Sequence, residues 1–346
     1  MRVKAAIIGT TGYGGGELIR ILSGHPVFNI HSIHTTRDEK PVSEEYPHLT
    51  GIFERVLTRI DTERIAEEAD IVFLATPSKV SGNLVEDFYQ RNIRVVDLSG
   101  DLRLKKGDLY KEWYGHEPVN NSILSKAVYG LSEWNKEEIK TARLLANPGC
   151  YPTAALLGLA PVMAEKLIEP KSVIIDAKSG VSGAGRSPSI GTLYAELNEN
   201  FKIYKVNEHQ HIPEIEQQLG QWNGEPINIT FSTHLIPITR GIMATMYVQL
   251  KNEMDTSRLI DLYNETYQDH PFIRIRRESV FPAVKEVKGS NFCDIGLHAD
   301  RRTGRLTIVS VIDNLMKGAA GQAVQNANIM YGIEEKAGLE MTPLYP

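Results

Sequence analysis

Cysteine is scarce in this chain: only Cys150 and Cys293 occur in 346 residues. Two cysteines cannot build a disulfide framework, so a reducing compartment is expected. No run of 18 apolar residues is present, which excludes a membrane-spanning helix. The opening Met1-Arg2-Val3-Lys4-Ala5-Ala6-Ile7-Ile8-Gly9 passes straight into a strand-like segment. It has neither the long apolar stretch nor the small-residue cleavage site of a secretory signal. The expectation is a cytoplasmic protein with no membrane partner. A basic surplus is also missing. The formal net charge is −5, which leaves no electrostatic footprint for nucleic acid and chiefly favours solubility. Internal repeats, low-complexity tracts and long linkers are absent.

The composition is that of an ordinary globular protein, 42% hydrophobic and 23% charged. The length suggests about two domains and a sizeable core. In the first half, short apolar strands alternate with helical spacing. Strands are expected at 3–9, 28–34, 71–75 and 95–98, and helices at 17–23 and 80–90. This alternation predicts a Rossmann-type, doubly wound parallel sheet. After Pro148-Gly149 the pattern becomes β-rich. A helix is expected over 153–168, and strands over 172–177, 227–235, 242–250, 273–276, 294–299 and 306–312. This half reads as an α+β mixed-sheet domain. The Ala-rich segment 318–330 reads as a closely packed helix. The expected division is 1–149 for a dinucleotide domain, 150–315 for a catalytic and dimerisation domain, and 316–346 for a C-terminal segment.

The first strand runs into Gly9-Thr10-Thr11-Gly12-Tyr13-Gly14-Gly15-Gly16. Glycines at 9, 12 and 15 form G-x-x-G-x-x-G, a variant of the dinucleotide fingerprint. Glycine permits a tight turn and close backbone approach to a pyrophosphate. The following helix offers free N–H groups and the positive end of its dipole. A plain tight turn is the structural alternative. The second strand is followed by Thr35-Thr36-Arg37, where NAD enzymes often carry an acidic residue. An arginine fork with threonine hydroxyls suits a ribose 2′-phosphate, so NADP(H) is favoured over NAD, although Asp38 follows directly.

Cys150 lies in Asn147-Pro148-Gly149-Cys150-Tyr151-Pro152-Thr153, at or just outside the start of an apolar helix, with Pro152 suited to the first helical position. A helix N-terminus favours thiolate, the nucleophile that an activated carboxyl group requires. The alternative is a buried structural cysteine. That is the reading for Cys293, which has no such setting.

These segments, with DLSGDLRL, KEWYG, VYGLSEW, KSGVSGAGR, NEHQHIPEIEQ, HLIPITRG and DNLMKGAAGQAVQNANIM, resemble the N-acetyl-γ-glutamyl-phosphate reductases over nearly the whole chain. The sequence is more distantly similar to aspartate-semialdehyde dehydrogenases. ANPGCYPT together with HQHIPEI is the specific part of the match. The resemblance implies a cytoplasmic enzyme of arginine biosynthesis, with the C-terminal helix of 316–346 returning to the cofactor domain. Its substrate would be a small acyl phosphate, its cofactor NADP(H), and its assembly a homodimer or homotetramer. It implies that Cys150 is the nucleophile and that the acid/base histidine lies in His209-Gln210-His211. It implies that Arg103, with Ser99 in the same motif, meets phosphate or substrate, as do Asn147, Arg186 and Glu214. It also implies that Thr76, Pro77, Ser182, Gly183 and Asn314 line the cofactor site. Two departures stand out. Tyr13-Gly14-Gly15 replaces the usual Tyr-Thr-Gly, and Thr76-Pro77-Ser78 replaces Leu-Pro-His.

His209 and His211 sit two apart before Pro213-Glu214. In an extended segment both would face the same way. One can handle protons while the other contacts substrate, and His211 is preferred as the acid/base group. A metal pair is the rival for His-x-His, but no further ligand cluster supports it, so no metal is expected. Three further readings remain: the same chemistry on an aspartyl or aminoadipyl phosphate, a non-catalytic NADP-binding regulator, and a Cys–His hydrolase. The last leaves the glycine loop unexplained.

Overall fold

The computed structural model describes residues 2–345. The chain divides into two compact units: Met1–Gly149 with Ala319–Glu340, and Cys150–Gly318 with Met341–Pro346.

The first unit is built on a six-stranded sheet. Its spatial order is Phe28–His34, Val3–Ile8, Ile71–Leu74, Arg94–Asp97, Leu144–Ala146 and Val128–Tyr129. Every neighbouring pair is parallel. Ile71–Leu74 is buried at all four positions and Val3–Ile8 at its last four, as expected of strands covered on both faces. The chain leaves Val3–Ile8 to one side and returns on the other with Ile71–Leu74. The order therefore reverses there and opens a crevice at the C-terminal ends of these two strands. The fold class is as the apolar runs predicted. The short strands Val128–Tyr129 and Leu144–Ala146 were not foreseen, because two or three residues carry no readable period.

The first helix is Tyr13–Ser23, four residues earlier than its apolar spacing indicates. The three glycines inside its first turn hide the start. The C-terminal helix Gly321–Met330 is buried along its full length, polar residues included. It is preceded by a π-helical turn at Met316–Ala320, so the regular α-helix begins three residues later than expected.

The second unit carries a seven-stranded mixed sheet. Its order is Lys202–Tyr204, Thr230–Ile236, Ile174–Gly180, Ile242–Gln249, Arg305–Ile312, Cys293–Asp300 and Ile273–Ile275. The burial of Ile242–Gln249 alternates strictly, so one face of the sheet is covered and the other is half open. The helix Cys150–Ala164 covers the buried face, and Tyr151 to Met163 are all buried. Gly158 permits this close fit, since a Cβ there would stand 2.5 Å from the Met246 Cε. Pro161 inside the helix cannot donate to the Leu157 carbonyl. The Tyr267 hydroxyl donates to that carbonyl at 2.6 Å instead. Tyr263 likewise donates to the Gly158 carbonyl at 2.5 Å.

Candidate active site

The glycine loop follows the first strand at its C-terminal end. Gly9 has φ +88°, and a Cβ there would lie 2.5 Å from the Ala75 carbonyl oxygen and 2.9 Å from the Thr76 Cγ2. At Gly15 a Cβ would lie 2.5 Å from the Gly9 oxygen. Both glycines are therefore demanded by the protein's own packing. Gly12 differs: the nearest atom to its Cβ position is the Gly9 oxygen at 3.7 Å. Its bare face is not used by the chain, which fits a ligand approaching the backbone. Gly12 caps the helix in an extended conformation with no side-chain cap, and no acidic residue occupies the first turn. The N–H groups of Tyr13 and Gly14, at the start of the first turn, have no intrahelical acceptor. Tyr46 steadies the loop by donating its hydroxyl to the Gly12 carbonyl at 2.8 Å. Nothing in the local sequence signalled Tyr46.

The residues around this loop divide by what they hold. Thr10 is buried, and its hydroxyl donates to the His34 carbonyl at 3.0 Å. Thr11 is half-buried. At the end of the second strand the Thr35 hydroxyl accepts the Arg37 N–H at 3.0 Å, which fixes the turn. Thr36, Arg37 and Asp38 are exposed. Thr76 is buried and shares a 2.7 Å hydrogen bond with the Ser81 hydroxyl, while Pro77 beside it is exposed.

At the next strand end, Asp97 is fully buried and takes the N–H and hydroxyl of Ser99 at 2.9 and 2.8 Å. Burial, reinforced by the nearby Asp101 charge, pushes the Asp97 carboxyl up to about 6. Asp101 itself caps the helix Val80–Gln90 by accepting the N–H groups of Lys79 and Gly82. Arg103 is almost wholly buried and donates to the Asn147 and Leu98 carbonyls, both at 2.8 Å. Asn147 has no exposed surface, and both ends of its side chain are engaged within the protein. Ser99 and Asn147 thus spend their side chains on the frame around Arg103.

In the second unit Cys150 is the first residue of its helix, half-buried and outside any disulfide. The helix begins three residues before its expected start, which puts Cys150 inside the first turn and Pro152 third. Gly318, in the π-helical turn, comes so close that a Cβ there would stand 2.8 Å from the Cys150 Cβ. Cys293 is buried beside the Ser310 hydroxyl at 3.4 Å.

The two histidines meet next to the residue after Cys150. Tyr151 lies edge-on to His209 at 5.4 Å and to His211 at 6.0 Å, and the two imidazoles are 4.7 Å apart. They are brought together by a turn, not by the extended segment that their spacing suggested. His211 has φ −83° and ψ −9° and caps the helix Ile212–Asn223, because Pro213 favours an immediate helix start. The His209 Nδ1 accepts the His211 N–H at 3.2 Å, so its own proton resides on Nε2. Burial among Tyr151, Tyr204 and Phe231, aided by the Lys205 charge, pushes His209 down to about 4. Glu214, in the first turn of the helix, is fully buried.

Asn314 bridges two loops, accepting from the Gly241 N–H at 2.7 Å and donating to the Ser182 hydroxyl at 3.0 Å. Gly183 abuts the Ser179 hydroxyl, and Arg186 is exposed beyond Gly185. Among the described residues no group of three or more His, Cys, Asp or Glu side chains is placed to hold a metal ion. No helix among them is long and apolar enough to cross a membrane.

Residues 4–142 match the family model for the semialdehyde dehydrogenase NAD binding domain, and residues 150–314 that for the semialdehyde dehydrogenase dimerisation domain. The chain is 56% identical to an N-acetyl-γ-glutamyl-phosphate reductase of Geobacillus sp. (strain WCH70), over 99% of this chain and 100% of that protein. It is equally identical to the reductase of that name from Bacillus cereus (strain AH187), with the same coverage. Among solved structures, aspartate semialdehyde dehydrogenase II of Vibrio cholerae, complexed with ASA, superposes with a TM-score of 0.73 at 16% identity. That match covers 96% of this chain and 99% of the other. An aspartate semialdehyde dehydrogenase with NADP from Candida albicans has a TM-score of 0.68 at 15% identity, over 95% and 98% of the two chains. At such identities the structural likeness concerns the fold.

Proposed function

Because the chain belongs to the N-acetyl-γ-glutamyl-phosphate reductase family, we propose that it converts N-acetyl-γ-glutamyl phosphate to N-acetylglutamate semialdehyde in arginine biosynthesis, using NADPH and a thioester on Cys150. The observation that carries the mechanism is the juxtaposition at one helix start: Cys150 in the first turn, followed by Tyr151 in contact with both histidines.

The helix N-terminus favours the Cys150 thiolate. This attacks the acyl carbon, a C–S bond forms, and the C–O bond to phosphorus breaks as phosphate leaves with the electron pair. Arg103 holds that phosphate through charge-assisted hydrogen bonds. Arg186, exposed on its loop, and Glu214 are assigned to the substrate side. NADPH, when bound, supplies the hydride that reduces the thioester. His211 gives a proton to the substrate oxygen of the reduced adduct and takes it back as the C–S bond breaks, so that the carbonyl of the aldehyde forms and the Cys150 sulfur leaves with the electron pair as thiolate. His209 is held neutral and has its Nδ1 engaged, so its part is to orient His211.

The loop fits a dinucleotide because Gly9 and Gly15 make the turn while Gly12 leaves open space. Its backbone would hold the pyrophosphate, with Thr11, Tyr13 and Gly14 beside it. Thr36 and Arg37 would take the 2′-phosphate. Thr76, Pro77, Ser182, Gly183 and Asn314 are assigned to the rest of the cofactor. A homodimer or homotetramer is supported by the apolar side chains exposed over residues 190–206, among them Ile190, Leu193, Tyr194 and Phe201. We place the enzyme in the cytoplasm.

The test runs the reaction backwards, with N-acetylglutamate semialdehyde, phosphate and NADP⁺, for the wild type and Cys150→Ala. NADPH should form only with phosphate present and only in the wild type. Phosphate-dependent turnover in Cys150→Ala would remove the covalent mechanism. A folded wild type that binds NADPH yet ignores this semialdehyde would remove the substrate assignment.

A further inference from the structure

Arg103 lies in a cage that reaches the far end of the chain. Its guanidinium is oriented by two backbone carbonyls at neighbouring strand ends, those of Leu98 and Asn147. Leu98 is secured by its own N–H, which donates to the Leu74 carbonyl at 2.9 Å. Asn147 is fixed three ways. Its N–H donates to the Asp97 carbonyl at 2.8 Å, its Nδ2 donates to the Ala319 carbonyl at 3.1 Å, and its Oδ1 accepts from the Asn326 Nδ2 at 3.1 Å.

Asn326 sits on the buried C-terminal helix with both N–H groups and the oxygen of its amide in use. The Nδ2 also donates to the Gly130 carbonyl at 2.7 Å, and the Oδ1 accepts the Ser132 hydroxyl at 2.7 Å. Gly130 leaves the space this requires, since a Cβ there would stand 2.6 Å from the Asn326 Nδ2. Asn326, Asn147 and Ser132 have no exposed surface, so water cannot replace a lost partner. The site demands two donors and one acceptor at asparagine reach. Aspartate lacks the donors, and an apolar residue strands three polar groups.

We propose that Asn326 is a positioning residue for the Arg103 guanidinium, acting through Asn147. The C-terminal helix therefore tunes phosphate recognition without touching phosphate. Without the Asn326 donor, Asn147 keeps only its bonds to the Ala319 and Asp97 carbonyls, and the carbonyl that aims the Arg103 Nε is held less tightly. The inference rests on the reading that Arg103 holds the leaving phosphate.

The test measures the phosphate KM in the phosphate-consuming direction for Asn326→Ala, Ser132→Ala, Asn328→Ala and Arg103→Ala. Asn326→Ala should raise it about tenfold, as loss of one well-placed buried hydrogen bond implies, with the NADP⁺ KM unchanged. Ser132→Ala removes one hydroxyl that anchors Asn326, and should shift the phosphate KM the same way by a smaller factor. It decides the matter if Asn326→Ala does not fold. Asn328 is equally buried on the same helix, but its partners are His25 and the carbonyls of Glu335 and Ala337. Asn328→Ala should lower thermal stability and leave the phosphate KM alone. An equal rise in Asn328→Ala would mark general loosening and overturn the proposal. So would a raised KM in Arg103→Ala with none in Asn326→Ala or Ser132→Ala. An unchanged KM in Arg103→Ala would overturn the reading of Arg103 itself.

Discussion

The ring of Tyr151 stands edge-on to the imidazole of His209, with 5.4 Å between centroids and 83° between planes, one residue beyond Cys150. Tyr204 and Phe231 also pack against that imidazole. Burial therefore disfavours the charged form of His209, and this has a consequence for stability.

The folded-state pKa of His209 is lowered from 6.5 to about 4. The unfolded chain therefore takes up the proton first as pH falls. The contribution is complete above about pH 6.5 and is lost progressively down to about 4. It amounts to on the order of 3 kcal/mol. Urea unfolding at pH 7.5 and pH 5 should show a steep loss in the wild type and a shallower one in His209→Gln. Equal losses would show that His209 is not held neutral. An acidic limb in kcat/KM between pH 5 and 8 should persist in any active His209 variant, because His209 does not titrate there.

Two of the loop glycines should separate stability from binding. Gly9→Ala places a side chain at φ +88° against the Ala75 carbonyl. It should cost on the order of 1–3 kcal/mol from backbone strain alone. Gly12→Ala meets nothing closer than 3.7 Å and should leave the melting temperature unchanged. Its methyl would nevertheless occupy the face offered to the pyrophosphate, so NADPH affinity should fall at least about tenfold. Fluorescence titration beside a thermal melt checks both. Unaltered NADPH binding in Gly12→Ala would move the pyrophosphate elsewhere.

Much of this was legible because it is local. A glycine turn between strand and helix, and a cysteine before an apolar helix, are near-neighbour patterns. Their edges were not legible. The glycines hid the first turn of the helix from Tyr13, and the helix of Cys150 began before Pro152 rather than at it. Side-chain commitments were less readable still. Thr10, Ser99 and Asn147 are the residue types that often meet ligands. Yet the Thr10 hydroxyl serves a carbonyl 24 residues away, and the Asn147 amide serves one 172 residues away. Nothing within a short window of sequence announces such a partner. The His209–His211 pairing was visible as a spacing, but a turn and a helix cap create it.

Arg37 should determine cofactor choice. It is exposed at the end of the second strand, on a turn held by the Thr35 hydroxyl. A charge-assisted hydrogen bond is worth about 1.5–3 kcal/mol, so Arg37→Ala should raise the NADPH KM on the order of 10–100-fold. The NADH KM should stay where it is. Parallel loss for both cofactors would mean that Arg37 supports the loop rather than reads the 2′-phosphate.

The last expectation concerns the helix that carries the nucleophile. Pro161 leaves the Leu157 carbonyl without its usual donor, deep in the second unit. Tyr267 supplies the missing donor from the helix Thr256–Tyr267. Tyr267→Phe keeps the ring and strands that carbonyl, which should cost about 1–3 kcal/mol. The defect lies two turns into the helix from Cys150, so the cost should appear in denaturant midpoint and not in the rate at which iodoacetamide alkylates Cys150. Pro161→Ala restores the backbone donor. Combined with Tyr267→Phe it should recover most of the loss, whereas full additivity of the two costs would show that the hydroxyl was not the proline's substitute.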